Sequence, residues 1–305
     1  MSAAWFLVGP TATGKSAVAQ FLAEREGWDI LSADSMLIYR GMDIGTDKPS
    51  AAARRKVRYW GLNLVEPGET FSVGRYLSCA SEAFKQAGAS RLIVAGGTGL
   101  YVKCLMEGLD RAPPANPELR ARLAGMDVAG LQEELRRRDA PRLAALDDPL
   151  NPRRLIRAIE LAESKIGENR PRSRPAGPPL VGLRPDPQRL RARIAGRVER
   201  MFESGLVEEA RHLREQYSNL SNTARHAIGY AEALAVLDGQ LTLEQAREQT
   251  VRRTWQLGRR QMTWFRHQAR VEWIDVDFTE TLAGLADRVW TAWRKYGPTP
   301  IAFAE

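Results

Sequence analysis

The 305-residue sequence predicts an α/β fold: a parallel sheet flanked by helices, with an inserted all-helical subdomain. Short apolar runs alternate with helix-length segments near the start of the chain, the pattern of repeated βα units. Those runs stop at glycine-rich or acidic turns, as they do where a parallel sheet carries its site at the carboxyl ends of its strands. A proline-bounded helical stretch then interrupts the alternation.

The first run, Ala3 to Val8, opens into Gly9-Pro10-Thr11-Ala12-Thr13-Gly14-Lys15-Ser16, and Lys15 to Glu26 follows with helix formers and apolar Val18, Phe21 and Leu22. Strand, loop and helix in that order are the context in which GxxxxGK[ST] is a P-loop, so the sheet is expected to be P-loop NTPase-like. The glycines let backbone N–H groups curl around phosphate oxygens, and the helix start adds its partial positive charge. Lys15 supplies a mobile cation and the Ser16 hydroxyl a ligand for Mg²⁺. Gly9 through Ser16 are therefore the expected phosphate cradle, although the motif does not say whose phosphates they hold.

The second run, Trp28 to Ala33, stops at Asp34, and the third, Arg91 to Ala95, stops at Gly96-Gly97-Thr98-Gly99. An ATPase that activates water needs a Walker-B acid at the end of a nearby strand, and the third run ends in glycine instead. The acid at the second strand can accept a proton from an incoming nucleophile, which makes Asp34 the candidate general base; an N-cap or a metal ligand are its other readings. Thr98 lies between glycines, where its hydroxyl can enter a ligand site or merely finish a turn. The loop from Gly41 to Pro49 follows Asp34 closely enough to wall the same cleft.

Pro113, Pro114 and Pro117 break the alternation, and Glu118 to Glu163 reads as helices with turns near Gly125, Pro141 and Pro149 to Pro152. The proline-rich stretch from Asn169 to Pro187 cannot be a regular helix and includes the return to the main body, with a strand expected at Leu180 to Leu183. The expected division is thus a discontinuous core of residues 1–112 and 183–305 around a helical insert of residues 113–182. From Pro187 to Arg270 the chain reads as long helices broken around Ser218 to Asn222 and at Asp238-Gly239, before a strand at Val271 to Val276.

The stretch from Val251 to Arg270 holds arginines at 252, 253, 259, 260, 266 and 270 and no acidic residue. Val251, Trp255, Gly258, Met262 and Phe265 share one helical seam, while Arg252, Arg259 and Arg266 recur beside it. Such a run is either a solvated face or a surface for a polyanion, and its single sign favours phosphate binding. Arg153, Arg154 and Arg157 repeat the theme in the insert.

Composition agrees with a globular, polyanion-binding chain: 44% hydrophobic, 27% charged, formal charge +8. Cys79 and Cys104 lie too far apart for a CxxC motif and, with three histidines, make no zinc-spaced set, so both are expected as core thiols in a reducing compartment. No run approaches the roughly 18 apolar residues of a membrane span, and a cytoplasmic protein is expected.

Together these residues resemble the tRNA dimethylallyltransferases, also called tRNA isopentenyltransferases. The resemblance rests on GPTATGKS at 9–16, SADSMLIYRGMDIGTDKP at 32–49, GGTGLYVKCLMEGL at 96–109, NPRRLIRAIELAE at 151–163, GLVEEA at 205–210, AIGYAEAL at 227–234 and RRQMTWFR at 259–266. It implies transfer of a prenyl group from dimethylallyl diphosphate to N6 of the adenosine just 3′ of the anticodon, with Mg²⁺, the P-loop holding the prenyl diphosphate rather than ATP. It implies Asp34 as the base that takes the N6 proton, with Lys15 and Thr98 at the reacting centre. It also implies contacts to the tRNA anticodon stem-loop from Asp34, Ser35, Met36, Leu37, Arg120, Arg153, Arg154, Arg157 and Arg225, to which the arginine-rich helix adds Arg252 and Arg259. A monomer is expected. The chain departs from the pattern at Leu37, where many members have glutamine, around Tyr59-Trp60, and at Trp255. The competing readings are a small-metabolite kinase using ATP and Asp34, and an RNA-binding nucleotide switch. The kinase leaves the arginine-rich helix without a polyanion, and the switch lacks a Walker-B acid.

Overall fold

Apolar runs without polar alternation form strands covered on both faces. The computed structural model describes residues 3–88, 90–109, 116–164 and 177–302. Its first part runs β1 (Ala3–Val8), α1 (Lys15–Glu26), β2 (Asp29–Ala33), α2 (Ala51–Lys56), β3 (Tyr59–Trp60), α3 (Val73–Ala87), β4 (Leu92–Gly96) and α4 (Gly99–Glu107). Three helices follow, α5 (Pro117–Leu123), α6 (Val128–Ala144) and α7 (Pro152–Glu163). The chain then forms β5 (Leu180–Pro185), α8 (Pro187–Glu203), α9 (Leu206–Gln216), α10 (Asn222–Arg225), α11 (Tyr230–Leu237) and α12 (Leu243–Gln268). It ends in β6 (Val271–Val276), α13 (Leu282–Tyr296) and β7 (Thr299–Pro300).

The strand order is β3-β2-β4-β1-β5-β6, all parallel, with β7 antiparallel to the start of β1. Successive side chains enter opposite layers, as a two-residue period requires. Phe6, Val8, Leu31, Leu92 and Val94 pack with α3, α4 and Phe265 of α12, whereas Leu7, Ile30, Ile93, Val181 and Leu183 pack with α1 and α13. A third apolar cluster joins α8, α9 and α11 to the segment around Ile38, Tyr39 and Met42.

Two compact units result: Met1–Gly108 with Arg174–Glu305, and Leu109–Ser173. The second is built on Leu119, Leu123, Leu131, Leu135, Leu155 and Ile159 from α5, α6 and α7. Residues 180–182 do not belong with it, as the expected boundary had them. They pair with Val271, Glu272 and Trp273 as part of β5, because an apolar run can satisfy its backbone beside β6. The expected turn at Pro141 is a kink inside α6, where Asp139 leaves the helical region at φ −157°, ψ 78° and its carboxylate caps the N–H of Arg142 at 2.9 Å. The breakpoints at Pro113 and Pro114 and the stretch from Asn169 to Ala176 lie outside the described residues.

Cys104 is buried, while Cys79 is only half-buried. No helix among the described residues is long and apolar enough to cross a membrane.

Candidate active site

Strand order brings the site together. In the middle of the β2-β4-β1 trio, Gly96 sits opposite Ala33 on one side and Val8 on the other. Asp34 and Gly9, one residue beyond each neighbour, therefore leave the sheet about 10 Å apart, two strand spacings. Between them opens a cavity of about 580 Å³ at the carboxyl ends of the strands. It is lined by Thr11 through Ser16, Asp34, Leu37 and Gly97, and by the loop residues Asp43, Ile44, Thr46, Asp47 and Lys48.

The P-loop takes its shape from residues that tolerate left-handed backbone. Gly9 has φ +135° and Gly14 +90°, and a Cβ on Gly9 would stand 2.6 Å from the carbonyl oxygen of Leu183. Ala12 also adopts a positive φ, 63°. Gly14 caps α1 with no side-chain acceptor, and no acidic residue occupies the first turn. The first N–H groups and the positive end of the helix dipole are thus left for an anion. Lys15 is 8% exposed and its ammonium folds back onto the Pro10 carbonyl, with Thr13 Oγ1 at 3.4 Å. Burial pushes its pKa down to about 7; the Asp34 charge pulls it up, and Arg197 lowers it further. Ser16 is exposed on the cavity wall.

Asp34 is half-buried, and its Oδ1 accepts the N–H of Met36 at 2.8 Å. Thr98 Oγ1 accepts the N–H of Ser35 at 3.1 Å, and the Thr98 N–H donates to the Ala33 carbonyl at 3.0 Å. The Thr98 hydroxyl therefore fixes the turn that carries Asp34, and Thr98 itself is not among the residues lining the cavity. Leu37 lines it; Ser35 and Met36 do not.

Several cavity residues come from far along the chain. Gln261 of α12 accepts the Thr11 N–H at 2.8 Å and donates to the Gly97 carbonyl at 3.2 Å, so it bolts the P-loop to the glycine turn. Arg193, Arg197 and Arg200 of α8 face the same cavity. Arg197 donates to Thr11 Oγ1 at 3.0 Å and to the Thr46 carbonyl at 3.4 Å, and Arg193 donates to the Ala12 carbonyl at 3.0 Å. Their spacing of three and four along one helix was the available signal. The Gly41–Lys48 loop is held from both ends. Glu209 accepts the N–H groups of Asp43 and Ile44 at 3.1 and 3.0 Å, and also the Tyr230 hydroxyl. The Lys48 ammonium donates to the Tyr39 carbonyl at 2.6 Å and to Asn63 Oδ1 at 2.8 Å.

The remaining expected site residues are distributed. Arg120 and Arg157 converge on one buried carboxylate, Glu160: Arg120 donates at 2.7 and 3.1 Å and Arg157 at 2.8 Å. Burial would raise the Glu160 carboxyl, but these guanidiniums and the Asn116 N–H hold it below its usual range. Both arginines thus have a structural duty within the helical unit. Arg153, Arg154, Arg225, Arg252 and Arg259 are exposed. On α12, Arg253 pairs with Glu232, while no ion pair is found among the described residues for Arg252, Arg259, Arg260 or Arg266.

Among the described residues no three His, Cys, Asp or Glu side chains are grouped to hold a metal ion. A cation here would need Ser16 and oxygens brought by a ligand, which suits Mg²⁺, an ion that binds through few protein groups and substrate phosphates.

Comparison with known proteins adds the following. A family model described as IPP transferase matches residues 37–268, and one described as isopentenyl transferase matches residues 2–63. A tRNA dimethylallyltransferase of Corynebacterium efficiens is 39% identical over 294 residues, covering 92% of this chain and 96% of that protein. One of Rhodococcus jostii is 41% identical over 286 residues, covering 88% and 90%. The full-length tRNA isopentenylpyrophosphate transferase of Bacillus halodurans superposes with a TM-score of 0.68 at 32% identity, over 97% of this chain and 98% of that one.

Proposed function

Because this chain belongs to the IPP transferase family, we propose that it transfers a dimethylallyl group from dimethylallyl diphosphate to tRNA, at N6 of the adenosine just 3′ of the anticodon. The observation that carries this reading is one cavity with an anion cradle on one wall and a carboxylate on the other, the two coming from strands on either side of β4.

Lys15, the α1 amides and the guanidiniums of Arg193 and Arg197 bind the donor's diphosphate and stabilise the charge that grows on it. Mg²⁺, held by the Ser16 hydroxyl and the donor's own phosphate oxygens, would neutralise further charge on the departing diphosphate. Adenine N6 is a weak nucleophile because its lone pair is delocalised into the ring, so it needs an acceptor for its proton. Asp34 is that acceptor. The bond from C1 of the donor to its bridging oxygen breaks, the bond from N6 to C1 forms, the N6 proton passes to Asp34, and diphosphate leaves. Thr98 acts through Ser35 by keeping the Asp34 turn in place.

A base stacked in an RNA helix cannot reach this cavity, so the target is flipped out of the anticodon loop. Leu37 packs against it, and the exposed arginines Arg153, Arg154, Arg225, Arg252 and Arg259 contact RNA phosphates. The enzyme works as a cytoplasmic monomer. A kinase acting on a small metabolite is not favoured, since it leaves the cationic face of α12 without use.

The test is the mass of unmodified tRNA after incubation with the protein, Mg²⁺ and dimethylallyl diphosphate. A gain of one prenyl group, located at the adenosine after the anticodon, is expected. Unchanged tRNA, with ATP's γ-phosphate passing to a small acceptor, would support the kinase instead.

A further inference from the structure

Beside the glycine turn, α12 forms a second cavity that prenyl transfer itself does not use, about 590 Å³ in volume. Exposed Arg259, Arg260, Thr263 and His267 surround half-buried Trp264 there. The indole is fixed in position. It lies against Gly99, where a Cβ would overlap the ring, and it meets Phe265 edge-on at 5.0 Å and 85°. None of the described residues lining this cavity is acidic.

A solvated helix face needs no aromatic floor, and a tryptophan that only fills the core has no use for a rim of guanidiniums. A fixed ring within a cationic rim is the chemistry that takes an unpaired nucleotide: the ring stacks on the base, and the arginines meet its phosphates. Location argues the same way. Gln261 and Trp264 lie one helical turn apart; the first grips Gly97 in the donor cavity, the second rests on Gly99. The two side chains therefore touch the glycines on either side of Thr98, the residue that fastens the Asp34 turn. Extruding one base from an RNA loop leaves its neighbours without a stacking partner.

Resting on the tRNA reading above, we infer that Trp264, with Arg259, Arg260 and His267, is a stacking site for a loop nucleotide neighbouring the target adenosine. It supplies part of the affinity for the flipped conformation. Trp264 binds substrate RNA here and takes no part in the proton or prenyl transfer.

Two measurements on the full chain test this. In the first, 5-iodouridine replaces each anticodon-loop nucleotide in turn and the bound complex is photo-crosslinked. One loop position is expected to crosslink to the peptide containing Trp264. Crosslinks that map only outside residues 256–268 would overturn the site. This readout needs binding but no turnover, so it is separable from failure of prenyl transfer. In the second, Trp264→Leu is expected to raise the tRNA KM by about tenfold or more, leaving the donor KM near wild type, and Trp264→Phe to recover most of the loss. A Trp264→Leu enzyme whose tRNA KM stays within about twofold, or whose donor KM and melting temperature change in parallel with it, would make Trp264 a packing residue only.

Discussion

Burial lowers the Lys15 pKa to about 7, so near neutrality this side chain is protonated only in part until a ligand arrives. A diphosphate lying against it favours the ammonium and restores its proton. Donor binding at pH 8 is therefore predicted to take up close to one proton, ~0.9, with uptake falling towards zero below about pH 6. Calorimetry in buffers of different ionisation enthalpy reads this, and a binding enthalpy independent of buffer would refute it. Between about pH 7 and 10.5 the unliganded folded chain binds fewer protons at Lys15 than the unfolded one. The penalty is thus full below pH 7 and is relieved as pH rises through that window. Asp34 makes a second case. Asp34→Ala should reduce transfer by at least ~10²-fold, because it removes the proton acceptor, while tRNA affinity stays near wild type. Single-turnover assays with parallel binding measurements separate the two effects, and near-normal turnover would remove Asp34 from the mechanism. The positions of Lys15 and Asp34 are both legible in the sequence, since Lys15 opens α1 at the end of the glycine-rich turn after β1 and Asp34 directly follows β2. Gln261 and Glu209 are not, because their partners lie 250 and 166 or fewer positions away and no local pattern links them, and Arg197 offers only its helical spacing, which says nothing of a partner 186 positions away.

At the scale of elements, α12 does three things along its 26 residues. Val251 and Trp255 pack into the helical cluster, Phe265 enters the sheet's own layer, and Gln261 between them holds the P-loop. Its seam was readable from the spacing of apolar residues, and so was its cationic stripe. The spacing could not show that Arg253 is spent on buried Glu232 while Arg259 has no such partner among the described residues. That difference yields a prediction: Arg259→Ala should weaken tRNA binding and flatten its dependence on salt by about one counterion, a slope change of roughly 0.7–0.9. Affinity measured across a salt series checks it, and an unchanged slope would make Arg259 a solvated residue. The insert illustrates the opposite limit. Its helices were legible from prolines and periodicity, but the convergence of Arg120 and Arg157 on Glu160 depends on how α5 and α7 pack. The helix α13 has apolar residues four apart at Leu285, Val289 and Trp293, yet no catalytic motif marks it, and its place against α1 is set by the sheet.

For the molecule as a whole, topology decides function. Parallel strands were predictable as a class, whereas their order, with β4 between β1 and β2, was not, because strand order is fixed by long-range pairing that a single sequence does not display. That order sets the P-loop and Asp34 on opposite sides of the same glycine turn, two strand spacings apart. The formal charge of +8 then brings an RNA to a cleft whose chemistry is carried by a few residues. The most direct measurement is the structure of the protein with a non-hydrolysable dimethylallyl diphosphate analogue and an unmodified anticodon stem-loop. The account predicts phosphate oxygens on the amides of Thr13 to Ser16 and on Lys15, with the Asp34 carboxylate in hydrogen-bond contact with the adenine N6. A diphosphate bound elsewhere, or an adenine whose N6 meets no carboxylate, would contradict it.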